Sequence, residues 1–168
     1  MSKTIEDLQV AFAGESQANR KYLAFAKQAD EEGYPQVAKL FRAAAQAETV
    51  HAMNHLRAMA GIHSTAENLQ EAIGGENYEV MSMYPPFIAD AEAEENKKAL
   101  TSFKWAFEVE KVHAELYRQA LASMEIDGKA ADGPDYYVCP FCGYTHAGSA
   151  PDKCPVCGTP GKRFERVS

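Results

Sequence analysis

From Thr4 to about Met124, apolar and small residues recur at three- and four-residue intervals between Glu, Lys, Gln and Asp. That period gathers them on one face of an α-helix. The filling residues, Ala, Glu, Lys, Gln and Leu, are strong helix formers. The pattern predicts a first helix from Thr4 to Glu32, with Thr4 and Asp7 spaced as a capping box and Gly33-Tyr34-Pro35 as its stop. Pro35 suits the first turn of a second helix, where its missing N–H costs nothing. That helix runs to about Ala60, with Gly61 as the residue that ends it. Ser64 and Glu67 form another capping box, opening a crossover segment. A third helix covers roughly Glu76 to Glu94, and Pro85-Pro86 inside it predict a kink or a short break. Asn96 caps a fourth helix that ends near Met124.

The helical period then stops. Residues 126–135 read as a turn-rich linker, and residues 136–168 are dominated by Pro, Gly and Cys with aromatics between them. So small a segment cannot bury enough apolar surface to stand alone and needs staples. The expected architecture is all-α, a four-helix bundle over 1–125, followed by the linker and a small metal-held β/loop domain over 136–168.

Composition narrows the class of protein. With 46% apolar and 24% charged residues among 168, disorder along the whole length is excluded. No apolar run approaches the roughly 18–20 residues that a membrane helix needs. The N-terminal run Met1-Ser2-Lys3-Thr4 turns polar at once and has no apolar signal region, so a cytoplasmic address is expected. Residues 1–135 carry a net charge of −9 and residues 136–168 a net charge of +2, which together give −7. An acidic body argues against nucleic acid as a partner, because phosphate binding needs a basic face.

The second and fourth helices hold one pattern twice: Glu48-Thr49-Val50-His51-Ala52 and Glu110-Lys111-Val112-His113-Ala114. Each follows a Gly-Glu dipeptide, Gly14-Glu15 or Gly75-Glu76, at nearly the same distance, so the chain reads as a duplicated helical hairpin. Residues at i and i+3 share a helix face, so Glu48 projects with His51 and Glu110 with His113. Their neighbours on that side are largely apolar or small, which points the stripe inward. An unpaired buried carboxylate costs several kcal/mol, and clustered ones would protonate instead. A cation removes the difficulty. One Glu from each of two helices plus Glu-x-x-His from each of the other two is the di-metal carboxylate arrangement of a four-helix bundle. Its oxygen and imidazole donors suit iron or manganese, and zinc can intrude.

Other positions are read against this pair. Glu79 sits at i+3 from Glu76, where the first repeat has Ala18. By spacing alone it is either a fifth carboxylate that breaks the symmetry of the site or a solvated helix residue. Tyr22 and Tyr84 fall two turns beyond Glu15 and Glu76, and spacing alone favours plain core aromatics. Trp105, Phe103, Phe107, Phe12 and Phe25 read as bundle core. Glu31, Glu32, Glu92, Glu94, Glu95 and Glu108 read as surface charges, and Glu115 lies off the stripe. His55 fits a hydrogen-bonded or core role rather than ligation, and His63 and His146 read as loop residues.

All four cysteines lie near the C-terminus, in Cys139-Pro140-Phe141-Cys142-Gly143 and Cys154-Pro155-Val156-Cys157-Gly158. Paired C-x2-C knuckles signal a metal rather than a disulfide scaffold. The Gly after each second Cys permits a left-handed turn. Four thiolates suit iron, which makes an electron carrier, and equally zinc, which makes a structural ribbon.

These stretches, with Ala13-Gly14-Glu15-Ser16, Glu76-Asn77-Tyr78-Glu79 and Met83-Tyr84-Pro85, resemble rubrerythrin over essentially residues 4–166. The resemblance implies a ferritin-like di-iron bundle followed by a rubredoxin-like domain. It implies Glu15 and Glu76 as terminal carboxylates, Glu48 and Glu110 as bridging ones, and His113 as a permanent ligand. It makes Glu79 the ligand of the other iron in the oxidised state, exchanged for His51 on reduction. Tyr22 and Tyr84 become the tyrosines that flank the pair, and Cys139, Cys142, Cys154 and Cys157 the ligands of an iron–tetrathiolate centre. Filling both site types gives about three irons per chain, although zinc can enter the cysteine site on overexpression.

The implied activity is reduction of hydrogen peroxide to water, in defence against oxidative stress. The electrons come from a nicotinamide-dependent reductase, often through a small rubredoxin. A homodimer paired head to tail is implied, and the +2 knob on a −9 bundle is consistent with it. Neither nucleic acid nor membrane is an expected partner. Two other readings compete: a ferroxidase or iron-handling protein of the ferritin-like kind, and a zinc-ribbon interaction module on a metal-stabilised bundle.

Overall fold

The first helix begins where a short hydroxyl side chain can satisfy free amides. In a computed structural model, which describes residues 2–127 and 133–167, Ser2 accepts from the Ile5 amide and opens α1 (Lys3–Glu31). The cap is therefore Ser2, and the expected capping box at Thr4 and Asp7 does not form, because Thr4 already lies inside the helix. Gly33 takes the left-handed conformation at φ 82° and reverses the chain. Pro35 then occupies the first turn of α2 (Pro35–Ala58). This helix ends two residues sooner than expected. Ala60, not Gly61, takes the left-handed position, at φ 51°. Gly61 is needed for room instead: a Cβ there would lie 2.6 Å from Leu56 Cδ1.

The described residues fall into two units, Met1–His63 and Ser64–Ser168. The first is the α1–α2 hairpin. Its buried seam is alanine, with Ala26 and Ala29 on one helix and Ala38, Ala45 and Ala52 at seven-residue steps on the other. Alanine at heptad spacing lets two backbones approach closely. Asn19 locks the register by donating to the Ala45 carbonyl at 2.7 Å and to the Thr49 hydroxyl at 2.9 Å. Phe25, expected in the core, is 46% exposed and packs edge-on against Phe41 instead.

The second unit opens with the predicted capping box of Ser64 and Glu67. The crossover segment is itself helical, so α3 spans Thr65–Tyr78 rather than starting at Glu76. The expected break occurs, but ahead of the prolines. A π-helical turn covers Glu79–Met83, and α4 (Tyr84–Ala93) follows with proline in its first turn. Proline lacks the N–H that a regular i→i−4 ladder needs, so the strain is taken up in the turn before it. Asn96 accepts from the Ala99 amide at 3.1 Å and caps α5 (Lys97–Asp127), which runs one turn past Met124. Arg118 ties α5 to Asn77 of α3 at 2.6 Å, and Tyr84, Phe87 and Phe103 form a ring cluster between α4 and α5. Of the linker expected over 126–135, residues 128–132 lie outside the described residues. Among the described residues, no helix is long and apolar enough to cross a membrane.

The C-terminal part of this unit is an antiparallel sheet of three short strands: β1 (Tyr136–Val138), β2 (Thr145–Ala147) and β3 (Glu165–Val167). The central strand is β1, pairing Val138 with Thr145 on one side and with Glu165 on the other. His146, expected in a loop, lies in β2, where its ring approaches Tyr144. The strands are too short to hold a fold by themselves. Cys139 and Cys154 are its buried apolar residues, and Gly161 is buried against the Pro151 and Asp152 backbone. The cysteine-bearing turn after β1 rests on α5, where a Cβ on Gly143 would lie 3.9 Å from Val109 Cγ1.

Candidate metal centres

Helical spacing builds the first donor group. On α2, three residues of rise bring His51 Nδ1 to 2.9 Å from Glu48 Oε2. Glu15, halfway along α1, reaches the same place, so Glu15, Glu48 and His51 form one cluster with donor atoms within 4.8 Å of one another. The His51 hydrogen bond, and then that of Glu15, hold the Glu48 carboxyl below its ordinary range. His51 is 53% exposed at its side chain and Glu48 only 17%, so the imidazole forms the open edge of the group. His55 is half-buried in the last turn of α2 and takes no part in the cluster.

The second unit repeats the arrangement. His113 Nδ1 lies 2.7 Å from Glu110 Oε2 on α5 and 3.7 Å from Glu76 Oε1 on α3. Glu76, Glu110 and His113 again form a three-donor cluster, here half-buried throughout. Burial, followed by the negative charge of Glu110, pushes the Glu76 carboxyl up to about 7. Two carboxylates this close cannot both ionise cheaply without a cation. The hydrogen bond to Glu110 raises His113 against the opposing effect of burial.

Glu79 begins the π-helical turn and stays outside the three-donor cluster. It is near enough to feel it: burial and the charge of Glu110 raise its carboxyl, while His113 lowers it. Tyr84 follows the same turn, and its phenol is raised by burial and then by Glu79, Glu110 and Glu76. It therefore stays a proton donor facing carboxylates. Tyr22 packs against Phe25 and Phe41, with ring centroids 6.3 and 6.1 Å away. Glu92, Glu108 and Glu115 form surface ion pairs with Lys104, Lys111 and Arg118, as expected of solvated charges.

Two residues of this site escape a reading of the sequence. Tyr117 lies one turn beyond His113, and its phenol is raised by burial, then Glu76, then Glu110. Its i+4 spacing from His113 was a usable signal. Thr145 had none: its hydroxyl lies 2.9 Å from His113 Nε2 across 32 residues of chain. Both line a cavity of about 320 Å³ with Leu69, Leu116 and Tyr136.

The third donor set is the sulfur cluster. Cys139 and Cys157 Sγ lie 3.6 Å apart, and Cys142 and Cys154 Sγ 3.5 Å. A tetrahedral metal with bonds of about 2.3 Å sets its sulfurs about 3.8 Å apart, so the cage already has the right size. Two matching turns build it. The Gly143 amide donates to the Cys139 carbonyl and the Gly158 amide to the Cys154 carbonyl, each at 3.0 Å, with both glycines left-handed. Burial raises the Cys142 and Cys154 thiols. Burial would raise Cys157 too, but the Thr159 hydroxyl and amide outweigh it and hold that thiol at about 6. One thiolate is thus ready at neutral pH. Both kinds of donor set fit a metal: hard oxygen and imidazole in the helices, soft sulfur in the cage.

Comparison with known proteins agrees with this division. The family described as Rubrerythrin matches residues 6–121, and the family described as Rubrerythrin, rubredoxin-like domain matches residues 137–165. Nigerythrin of Nitratidesulfovibrio vulgaris is 39% identical, with 98% of this chain and 86% of that protein covered. Rubrerythrin-2 of Clostridium acetobutylicum is 34% identical, with 96% and 95% covered. Nigerythrin solved in its fully reduced, all-ferrous state matches at 38% identity with a TM-score of 0.59, covering 99% of this chain and 88% of that one. With carboxylate–histidine donor groups in its helices, a four-sulfur cage after them and relatives that align over nearly its whole length, this chain belongs to the rubrerythrin family of di-iron, rubredoxin-like oxidoreductases.

Proposed function

We propose that the protein is a di-iron peroxidase that reduces hydrogen peroxide to water, drawing its electrons through the tetrathiolate centre. In this reading residues 1–125 form the di-iron domain and residues 136–168 the electron inlet. The observation that carries it is the coexistence of two Glu-Glu-His groups with a sulfur cage of metal-binding size in one chain. A ferroxidase has no use for a dedicated electron inlet, and a zinc-ribbon module has no use for converging carboxylates.

Glu15, Glu48, Glu76, Glu110 and His113 would hold the iron pair, with Glu48 and Glu110 as the carboxylates that its two ions would share. When bound, the pair supplies the two electrons that split the O–O bond; two protons complete the two waters. Glu79 offers hard carboxylate oxygen to the oxidised site, and His51 offers neutral imidazole to the reduced one. That exchange keeps donor charge in step with metal charge. This reading is supported by the exposure of His51 at the open edge of its group and by the position of Glu79 outside its own. Tyr84 holds its proton beside Glu79 and serves as hydrogen-bond donor to the departing oxygen, and Tyr22 does so from α1. Cys139, Cys142, Cys154 and Cys157 hold the single iron. The redox partner is a rubredoxin-type carrier or a nicotinamide-dependent reductase, the assembly is a head-to-tail homodimer, and the address is cytoplasmic.

The test is single turnover of the fully reduced, iron-loaded protein. Peroxide should oxidise it far faster than dioxygen does, and the red colour of the ferric tetrathiolate should return within the same turnover. Faster oxidation by dioxygen with iron accumulation would establish the ferroxidase reading. A colourless, zinc-filled cage that stays inert after iron reconstitution would establish the binding module.

A further inference from the structure

We propose that the connection between α2 and α3 is too short to complete the iron pair within one chain, and that two copies exchange their α1–α2 hairpins. Each bundle then takes Glu15, Glu48 and His51 from one chain and Glu76, Glu110 and His113 from the other. Which groups meet rests on the proposed iron pair; the length of the connection does not. A ferritin-like bundle joins its second and third helices, which run parallel, by one long crossover. The chain has to travel back along the bundle before the third helix begins. Here that return stretch is itself wound into helix, because the Ser64–Glu67 capping box starts α3 at Thr65. α2 continues from Glu48 to its end at Ala58, and α3 reaches Glu76 from its start at Thr65. At about 1.5 Å of rise per residue, a metal pair level with Glu48 and Glu76 puts the end of α2 about 15 Å below it and the start of α3 about 16 Å above it. The gap along the bundle is then about 31 Å.

The chain from Ala58 to Thr65 spans at most about 25 Å when fully extended. It is not fully extended. The Ala60 amide donates to the Arg57 carbonyl at 2.9 Å and the Gly61 amide to the Leu56 carbonyl at 3.0 Å, so the chain stays wound on the end of α2 as far as Gly61. From Gly61 to Thr65 the remaining reach is about 14 Å. A second observation agrees. Val37 and Phe41 lie three and two turns before Glu48 on its face of α2, and Phe25 packs on Phe41 with ring centroids 5.6 Å apart. Phe25 and Val37 are half-exposed beside a groove of about 430 Å³. The repeat carries the same feature in the second unit. Phe103 lies two turns before Glu110, Phe87 packs on it at 5.6 Å, and half-exposed Phe87 borders a groove of about 310 Å³. Each face bears half of the donor set and an uncovered apolar end, so the two fit as the halves of one core. Reciprocal exchange gives both copies the same contacts and closes as a twofold pair, in keeping with the homodimer proposed above.

Complementation on the full-length protein tests this. One variant carries Glu15→Gln and Glu48→Gln, and the other Glu76→Gln and Glu110→Gln. The two are co-expressed with different affinity tags, the mixed dimer is isolated, and its iron is counted by metal analysis. The red colour of the cage reports that each chain is folded. Under exchange, one bundle of the mixed dimer inherits all four substitutions and the other inherits none. The mixed dimer should therefore hold half of the helical iron of the wild type, whereas either variant alone holds cage iron only. A mixed dimer with no more helical iron than its parents, beside a wild type with its helical sites filled, overturns the exchange. A wild type that takes no iron into its helices overturns the di-iron reading instead. Sedimentation of the metal-free protein then decides the exchange. A dimer that becomes monomeric when about ten Gly and Ser residues are inserted after Ile62 upholds it, because the lengthened connection spans the gap. A monomeric wild type, or a lengthened variant that stays dimeric, overturns it.

Discussion

Replacing Glu76 by Gln tests how much strain the helical carboxylates store when no cation is present. Glu76 is 17% exposed at its side chain and lies close to Glu110, and its carboxyl is pushed up to about 7 from an ordinary 4.5. A displacement of that size corresponds to about 3 kcal/mol at most. Solvent reaching the group screens part of it, so about 1–2 kcal/mol is the working figure. The sign follows from proton linkage. The folded chain keeps a proton on Glu76 that the unfolded chain has already lost between pH 4.5 and 7. Stability of the metal-free protein therefore falls as pH rises through that window and levels off above it. Glu79 and His113, both raised, push in the same direction, whereas the lowered Glu48 loses its contribution only at more acid pH. Thermal denaturation of the metal-free protein, followed by circular dichroism, reads the effect. At pH 8 Glu76→Gln should exceed the wild type by about 1–2 kcal/mol, worth about 2–4 °C per kcal/mol. At pH 5, where wild-type Glu76 is protonated, the gap should close. Equal gaps at both pH values would refute the stored-charge argument. Metal loading should show the converse: in the proposed reading iron takes the Glu76 carboxylate, so binding should release a proton below pH 7 and tighten as pH rises.

The other predictions concern the cage and Glu79. Gly161→Ala places a Cβ in collision with the Pro151 carbonyl, so the variant should lose the cage iron, read as loss of visible absorbance, while helical circular dichroism persists. In the metal-free, reduced protein Cys157 should be alkylated first at pH 7, because Thr159 stabilises its thiolate while burial raises the Cys142 and Cys154 thiols. Thr159→Val should remove the Cys157 preference; mass mapping of the alkylated sites checks both. Glu79→Ala should keep its iron by metal analysis yet turn over peroxide about 10–100-fold more slowly. Unaltered peroxidase kinetics would remove Glu79 from the mechanism.

What the chain decided locally was readable in advance. Glu48 with His51, Glu110 with His113, the Ser64 cap and the two cysteine turns each depend on residues three or four apart, where backbone geometry alone sets the distance. The same locality explains why helix ends were misplaced by only a few residues, as at Ser2 and Ala60, where neighbouring residues compete for one cap. The π-helical turn at Glu79–Met83 was beyond such a reading, because a proline pair shows that the ladder must break but not on which side the strain is absorbed. Thr145 was further still. Its contact with His113 exists only because β2 and α5 pack together, and packing between residues 32 positions apart leaves no periodic trace in the sequence. The residues supplied the donor groups; the tertiary structure decided which hydroxyl meets one of them at its second nitrogen.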